Sequence, residues 1–316
     1  MNSQASHEFL EHVVLDGKTS LSSSKHIDEF RGLAEASVGD IPLPSQKNED
    51  WRFTDLSPLY KIKFQPNREI GLSQEIHKKF EIQEAKYRLV FVNGVYSNDH
   101  SCYPNSNSDF FIGTLDQAIN CLGTDFAKKI GKIVDKNGEL FVCLNNCRFK
   151  DCAVVMVGDG FTVTDPIHVL NISTGDKVFS APRLYIEVNR GGRANVVEDY
   201  VSFESDTNLT NFVTEIKLDE NAALTHCRLQ REEVSSFNIG NSGVALEKQA
   251  EYQACFVSVG SKIARQNVEI NQLGENVSCK FDGLAVLEGN QLVDLHSKVI
   301  HGVSNGKSSQ TYKTIL

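Results

Sequence analysis

Asn221-Ala-Ala-Leu-Thr-His-Cys-Arg-Leu229 joins a turn-forming asparagine to an alternating strand, and the chain repeats this arrangement. Gly192-Arg-Ala194, Lys248-Gln-Ala250 and Asn276-Val-Ser278 stand in the same place before a strand, at intervals of about 28 residues, within the range of solenoid repeats. Apolar and polar residues alternate through 183–188, 212–218, 222–229, 250–257 and 277–287, as half-buried strands require. Gly158-Asp159-Gly160, Gly191-Gly192, Gly274-Glu275-Asn276 and Glu288-Gly289-Asn290 punctuate these runs as turns. A repeat of this length built from short strands hides its apolar face only by stacking each coil on the next, so a β-solenoid is expected. Two flat antiparallel sheets packed as a sandwich are the competing architecture. Cys227 and Cys255 lie one repeat apart, with Cys279 slightly closer, and are expected to stack as small side chains inside the solenoid.

Working back from this region, residues 1–150 read as an α/β, largely helical domain and residues 151–316 as the β-helix. Phe9, Leu10, Val13 and Val14 recur at helical spacing, as do Ile27, Phe30 and Leu33. Pro42 and Pro44 stop the helix and leave an extended segment through Trp51. A short helix is expected over 73–80, with Ile76 and Phe80 one turn apart, and a strand over Tyr87–Gly94. Thr114 and Gln117 have the spacing of a capping box, ahead of the stripe Leu115, Ala118, Ile119 and Leu122.

Composition narrows the functional classes. The 316 residues are 40% hydrophobic and 23% charged, as in a globular chain. A net charge of −9 and a pI near 5.5 argue against a nucleic-acid backbone or an anionic membrane as the main partner. No stretch approaches the roughly 18 apolar residues of a membrane span. The start, MNSQASHEFLEHVVLDGK, has neither a secretory nor an Arg-rich transit pattern. Reduced thiols are therefore expected for the eight cysteines. Cys143, Cys147 and Cys152 are the densest group; they are weak metal-ligand candidates, read first as small residues in packed strands because no C-x-x-C pair is present.

The stretch Pro42–Leu56, PLPSQKNEDWRFTDL, sets Glu49 and Asp50 before the single tryptophan, Trp51, and then Arg52, Phe53 and Thr54. Physically, Trp51 and Phe53 should anchor an extended piece of chain. This segment resembles the N-terminal signature of the SufD branch of the SufB/SufD family, which belongs to the SUF iron–sulfur cluster assembly machinery. Similar motifs follow at Leu89–Gly94, Asp165–His168, Leu224–Gln230, Gly260–Lys262 with Arg265, Gly283–Ala285, Asp294-Leu-His296, His301 and Ser309-Gln-Thr-Tyr312-Lys313. SufB-like chains carry Val-Gln-Asn-Trp-Tyr-Pro where this one reads Leu229-Gln230-Arg231-Glu232. The resemblance implies a right-handed parallel β-helix core after an α/β N-terminal region. It implies a non-enzymatic scaffold subunit pairing with a SufB-like paralogue and the SufC-like ABC ATPase. It also implies an iron–sulfur cluster assembled on the complex with SufB, no cofactor bound by this chain alone, and residence in bacterial cytoplasm or plastid stroma. SufD-like chains continue for roughly another hundred residues past the point matching Lys313, so a C-terminally truncated chain is expected.

Individual polar residues carry weaker expectations. His296 and His301, also weak metal candidates, are an odd number apart, so on one strand they face opposite ways. Asp294 and His296 share a face and can pair. His226 and Cys227 point apart, and Lys262 with Arg265 reads as a solvated turn. Gly191-Gly192-Arg193 lacks the rest of a phosphate-binding loop. The alternative function is a β-solenoid polysaccharide lyase or hydrolase, with Asp199, Glu215 and Arg228 as the residues it would need.

Overall fold

One backbone corner recurs along the second half of the chain and sets its geometry. Gly160, Gly191, Asn221, Gln249, Asn276 and Asn305 all have positive φ, between 58° and 67°. Each begins the turn into a strand of the same sheet. The N–H of Gly191 donates to the Glu220 carbonyl at 2.9 Å, that of Asn221 to Lys248 at 3.0 Å and that of Gln249 to Glu275 at 2.8 Å. Corner is thus bonded to corner from turn to turn. Glycine and asparagine tolerate this left-handed conformation, which explains the turn residues read from the sequence; Gln249 is the exception. The buried Ala222, Ala250 and Val277 follow directly and fill the inside of the bend.

The computed structural model describes residues 8–15, 22, 24–65, 78–104, 107, 109–134, 138–203 and 207–316. Sixteen strands are described: β1 Tyr87–Val92, β2 Val95–Tyr96, β3 Phe110–Thr114, β4 Ala153–Val157, β5 Ile167–Ser173, β6 Phe179–Ser180, β7 Arg183–Val188, β8 Arg193–Ser202, β9 Leu209–Leu218, β10 Ala223–Arg231, β11 Phe237–Leu246, β12 Glu251–Ser258, β13 Ile263–Gln272, β14 Ser278–Val286, β15 Leu292–His301 and β16 Lys307–Ile315. They form two sheets, ordered β16-β14-β12-β10-β8-β5-β1-β2 and β15-β13-β11-β9-β7-β4-β3, with β6 beside β9. From β4 onward the pairs are parallel, and the chain alternates between the sheets. The result is a parallel β-solenoid of about six turns, as the repeat requires, and not an antiparallel sandwich.

Apolar side chains from both sheets meet inside the coil, among them Val196, Leu224, Ile216, Val244, Tyr252, Phe256 and Phe281. In β10 and β12 the even-numbered residues face inward. Cys227 and Cys255 therefore face outward, which corrects the expectation that they stack inside. Buried Cys279 does point inward, in register with Tyr252 and not with Cys255. The cause is turn length. Ala223 and its partner Glu251 are an even step apart along the chain, whereas Glu251 and its partner Ser278 are an odd step apart, and an odd step exchanges the faces.

The outer face of the second sheet is covered by three helices, α1 Lys25–Val38, α2 Leu115–Leu122 and α3 Leu140–Arg148, with the turns around them. Helix α1 buries Ile27, Arg31, Ala34 and Val38. Leu33, expected on that face, is 73% exposed. Arg31 takes the inward place because its guanidinium lies 4.5 Å over the Phe149 ring and donates to the Phe149 carbonyl at 2.8 Å. Helix α2 has the expected capping box between Thr114 and Gln117. Cys143 and Cys147 lie on helix α3, not on strands: Leu140–Leu144 is apolar throughout and buried between α1 and the sheet, and Glu139 caps it through the Val142 N–H at 2.7 Å. The helix expected over 73–80 falls mostly outside the described residues. Among those described, no helix is long and apolar enough to cross a membrane.

Exposed Asn221 offers a test of the corner. Asn221→Gly should leave stability close to wild type, whereas Asn221→Val should cost about 1–2 kcal/mol in urea unfolding, since a β-branched residue resists positive φ. Equal midpoints for the two variants would mean that the corner tolerates any residue.

Candidate functional site

The Glu49–Leu56 signature folds as a single helical turn, Glu49–Trp51, laid across the outer face of the second sheet. Trp51 is buried, 5.6 Å from the Phe141 ring and 3.9 Å from the Arg265 guanidinium, which lies over its face. Arg265 is itself 1% exposed and pairs with Asp294 on the neighbouring strand. Thr54, fully buried, donates its hydroxyl to the same carboxylate. His296 Nε2 lies 2.9 Å from Asp294 Oδ1, and Arg265 also donates to Asn267 Oδ1 at 3.2 Å. One carboxylate thus gathers a hydroxyl, a guanidinium and an imidazole. Of the residues singled out in the sequence, Trp51, Thr54, Asp294 and His296 meet here.

Other signature residues lie elsewhere. Glu49, Arg52 and Phe53 are exposed, Phe53 at 82% with the Arg52 guanidinium 5.6 Å from its ring. His301 lies on the inward-facing column of β15, against Ser308 at 3.3 Å, while His296 faces outward. Tyr312 packs against Phe281 from β16, with its ring 5.5 Å away, and Lys313 faces the other side. Arg265, expected in a solvated turn with Lys262, is instead buried within β13; only Lys262 is exposed. The sequence Ile263-Ala-Arg-Gln-Asn-Val268 does not alternate and gave no signal for this burial; Arg265 reaches the face that the Trp51 segment covers through the pairing of β13 with β15.

A second polar group runs between the sheets and was not read from the sequence as a unit. Glu198 accepts hydrogen bonds from the Tyr200 and Thr214 hydroxyls, the latter at 2.6 Å. His226 bridges Glu198 and Tyr252 at 3.1 and 3.0 Å. Burial pushes the Glu198 carboxyl up, but the hydrogen bond and charge of His226, with Arg228 nearby, hold it below its ordinary value. Arg228 lies 4.2 Å from the Phe212 ring and 4.9 Å from that of Tyr200, and donates to Asn238 at 2.6 Å and Gln266 at 2.9 Å. Glu232 takes bonds from Thr210, Asn238 and Gln230, yet burial still raises its carboxyl above the usual range. A cavity of about 300 Å³ opens beside Arg228, lined also by Phe256, Gln266, Leu295 and Tyr312.

The remaining candidates are dispersed. Asp199 is buried on the outer side of the first sheet against His168 at 3.1 Å and Arg231 at 2.6 Å. Glu215 lies on the outer side of the second sheet, 2.7 Å from Arg183 and capped by the Gly131, Ile133 and Val134 amides. Arg228 is between the sheets, so these three do not share a groove. The Cys143, Cys147 and Cys152 thiols donate to three carbonyls, of Ala34, Leu144 and Ala153. Burial pushes all three up, Cys147 to about 12. Among the described residues, no three His, Cys, Asp or Glu side chains converge as a metal site.

Two family models match most of the chain: the SufBD protein N-terminal region over residues 16–169, and the SufBD core domain of SUF-system FeS cluster assembly over 171–316. The chain belongs to the SufBD family. It is 30% identical over 310 residues to an iron–sulfur cluster assembly SufBD family protein of Synechocystis, covering 92% of this chain and 66% of the relative. Protein ABCI7, chloroplastic, of Arabidopsis thaliana is 30% identical over 306 residues, covering 93% and 63%. Iron-sulfur cluster assembly protein SufD of Escherichia coli is 24% identical over 288 residues, covering 87% and 63%. The chain thus spans a little under two thirds of the length of these relatives.

In SufBD terms, Trp51 lies in the N-terminal match and Arg265 and Asp294 in the core match, so their contact ties the two regions together. Arg265→Ala leaves Asp294 without its main partner and Trp51 without its lid. It should cost about 3 kcal/mol or more and shift the emission of this single tryptophan to longer wavelength. Unchanged fluorescence and stability would show that the contact holds nothing.

The ion pairs set an acid limit. Asp199 and Glu215, like Glu198, are held below their ordinary values by His168 with Arg231 and by Arg183, against the effect of burial. A depressed carboxyl gives stability above its unfolded pKa and loses it as pH falls through the folded value. Stability should therefore decline below about pH 4. The penalty of His226→Gln should shrink over that same fall, measured by urea midpoints; a penalty independent of pH would detach His226 from Glu198.

Proposed function

We propose that this chain is a non-enzymatic scaffold subunit of the SUF system. In this reading it pairs with a SufB-like paralogue and a SufC-like ABC ATPase, and the iron–sulfur cluster is cargo built on that complex, not a group resident in this chain. The observation that carries the reading is the match to both SufBD regions along nearly the whole solenoid and its covering layer. Relatives named for iron–sulfur cluster assembly support it. The chemistry agrees: Glu198, Asp199 and Glu215 are each engaged in bonds that hold sheets and helices together. Such groups stiffen a frame. Trp51, Thr54, Asp294 and His296 act in this reading as a strap between the N-terminal layer and the solenoid. Bacterial and chloroplastic relatives favour bacterial cytoplasm or plastid stroma as the place of work.

Co-expression tests the proposal. The full-length product of the gene, carrying an affinity tag, should co-purify with the SufB-like and SufC-like proteins of the same source through gel filtration at 150 mM salt, about physiological ionic strength. Recovery of the tagged chain with neither partner would refute the scaffold assignment.

A further inference from the structure

Cys227 and Cys255 have no part in the strap, the interior network or the proposed assembly role. They sit opposite each other on β10 and β12, paired in a parallel ladder. Both point away from the interior, and both are free thiols, Cys227 half-buried and Cys255 exposed. Neighbouring strands run about 4.8 Å apart. That separation of Cα atoms lies within the roughly 4.4–6.8 Å that disulfides span. Val197 flanks Cys227 on one side, and Asp282, held by Lys280 at 3.0 Å, flanks Cys255 on the other.

We propose that Cys227 and Cys255 form a surface dithiol that closes reversibly into a disulfide between adjacent turns of the solenoid, with a low-molecular-weight disulfide of the glutathione class as oxidant. The difference in exposure orders the steps. The Cys255 thiolate attacks one sulfur of the oxidant, forming a mixed disulfide and releasing one thiol. Cys227 then loses its proton to solvent and attacks the Cys255 sulfur, expelling the second thiol. Two protein thiols are oxidised and one small disulfide is reduced to two thiols, so electrons and protons balance. Burial, with the neighbouring Cys255 and Asp199, pushes the Cys227 thiol up to about 11, which suits it to the second, intramolecular step and not to first attack. The staple joins turns that backbone hydrogen bonds already hold in register, and only a small local approach of the two Cβ atoms is needed for closure.

The test uses the full-length chain with the other exposed cysteines of the described region, Cys102 and Cys121, changed to serine. After incubation with oxidised glutathione, acid quenching, alkylation and digestion, mass spectrometry should show one linked pair of peptides carrying Cys227 and Cys255, lost on reduction. Phenylarsine oxide, which bridges adjacent thiols, should shield both from alkylation, and Cys227→Ser or Cys255→Ser should each abolish that shielding. Far-UV circular dichroism before and after oxidation keeps an unfolding artefact apart from closure in the native fold. A mixed disulfide persisting on Cys255 with Cys227 still alkylated, both thiols left unmodified, or shielding that survives either substitution would each overturn the proposal.

Discussion

The constraint on which the rest depends is that every turn of the solenoid must bring its backbone back into hydrogen-bonding register. The positive-φ corner does this: it bends the chain sharply enough that its N–H reaches the carbonyl before the next corner. Arg193, Ala223, Glu251, Ser278 and Lys307 are successive partners across the first sheet, yet they are unevenly spaced along the chain. The length of a turn drifts while the register of the strands does not, so the drift is absorbed in the bends between sheets. Parity then decides which side chains go inside. An even turn keeps His226 and Ala254 in one interior column, and the odd one that follows moves Cys279 to the inside and leaves Lys280 outside. A single inserted residue therefore changes the chemistry of a whole face without disturbing the fold.

Interior columns are not all apolar, and their polar members are arranged so that burial is offset. Arg228 has neutral acceptors at its two terminal nitrogens and lies against two neighbouring aromatic rings, Tyr200 and Phe212, and this replaces part of its lost hydration. Room for Phe212 in that stack comes from the next turn, where a Cβ at Gly240 would strike the Phe212 ring and carbonyl. Removing one member leaves a buried polar atom of its neighbour unmatched, so the network favours a single arrangement of the coil.

Legibility followed periodicity. The corner residues, the capping box at Thr114 and the alternating strands of the first sheet were visible because local chemistry and tertiary structure agree there. Strand β11, Phe237-Asn-Ile-Gly-Asn-Ser-Gly-Val-Ala-Leu246, was not, since its glycines and asparagines serve close approach and helix packing and obscure the alternation. The outward direction of Cys227 and Cys255 was missed for a different reason: the spacing of a repeat fixes which residues are neighbours but not the face they occupy. Leu33 and Arg31 exchanged places because a guanidinium stacked on Phe149 outcompetes a leucine for the buried side of α1, a preference no hydropathy pattern records. Within the strap, the pairing of Asp294 with His296 was readable from strand geometry, but their junction with Trp51 and Thr54 joins parts of the chain far apart in sequence, 240 positions between Thr54 and Asp294.

That distance explains why the most distinctive sequence in the chain is spent on anchoring. A solenoid presents a long, nearly uniform outer face on which a covering layer has few features to recognise; a neighbouring turn looks much like the correct one. The strap removes this ambiguity. Trp51 needs a cation beneath its ring, and on the outer column of the second sheet Arg265 is aligned with Ile239 and Asn211 in the preceding turns and Asp294 in the next. Only one level of the column therefore offers an arginine with a carboxylate beside it to accept from Thr54. Moving the segment by one turn would place Trp51 over Ile239 or Asp294 and leave Arg265 and Asp294 to satisfy each other alone. The N-terminal layer is thereby fixed at one height on the rod, and its parts keep a fixed relation to the turns beneath them.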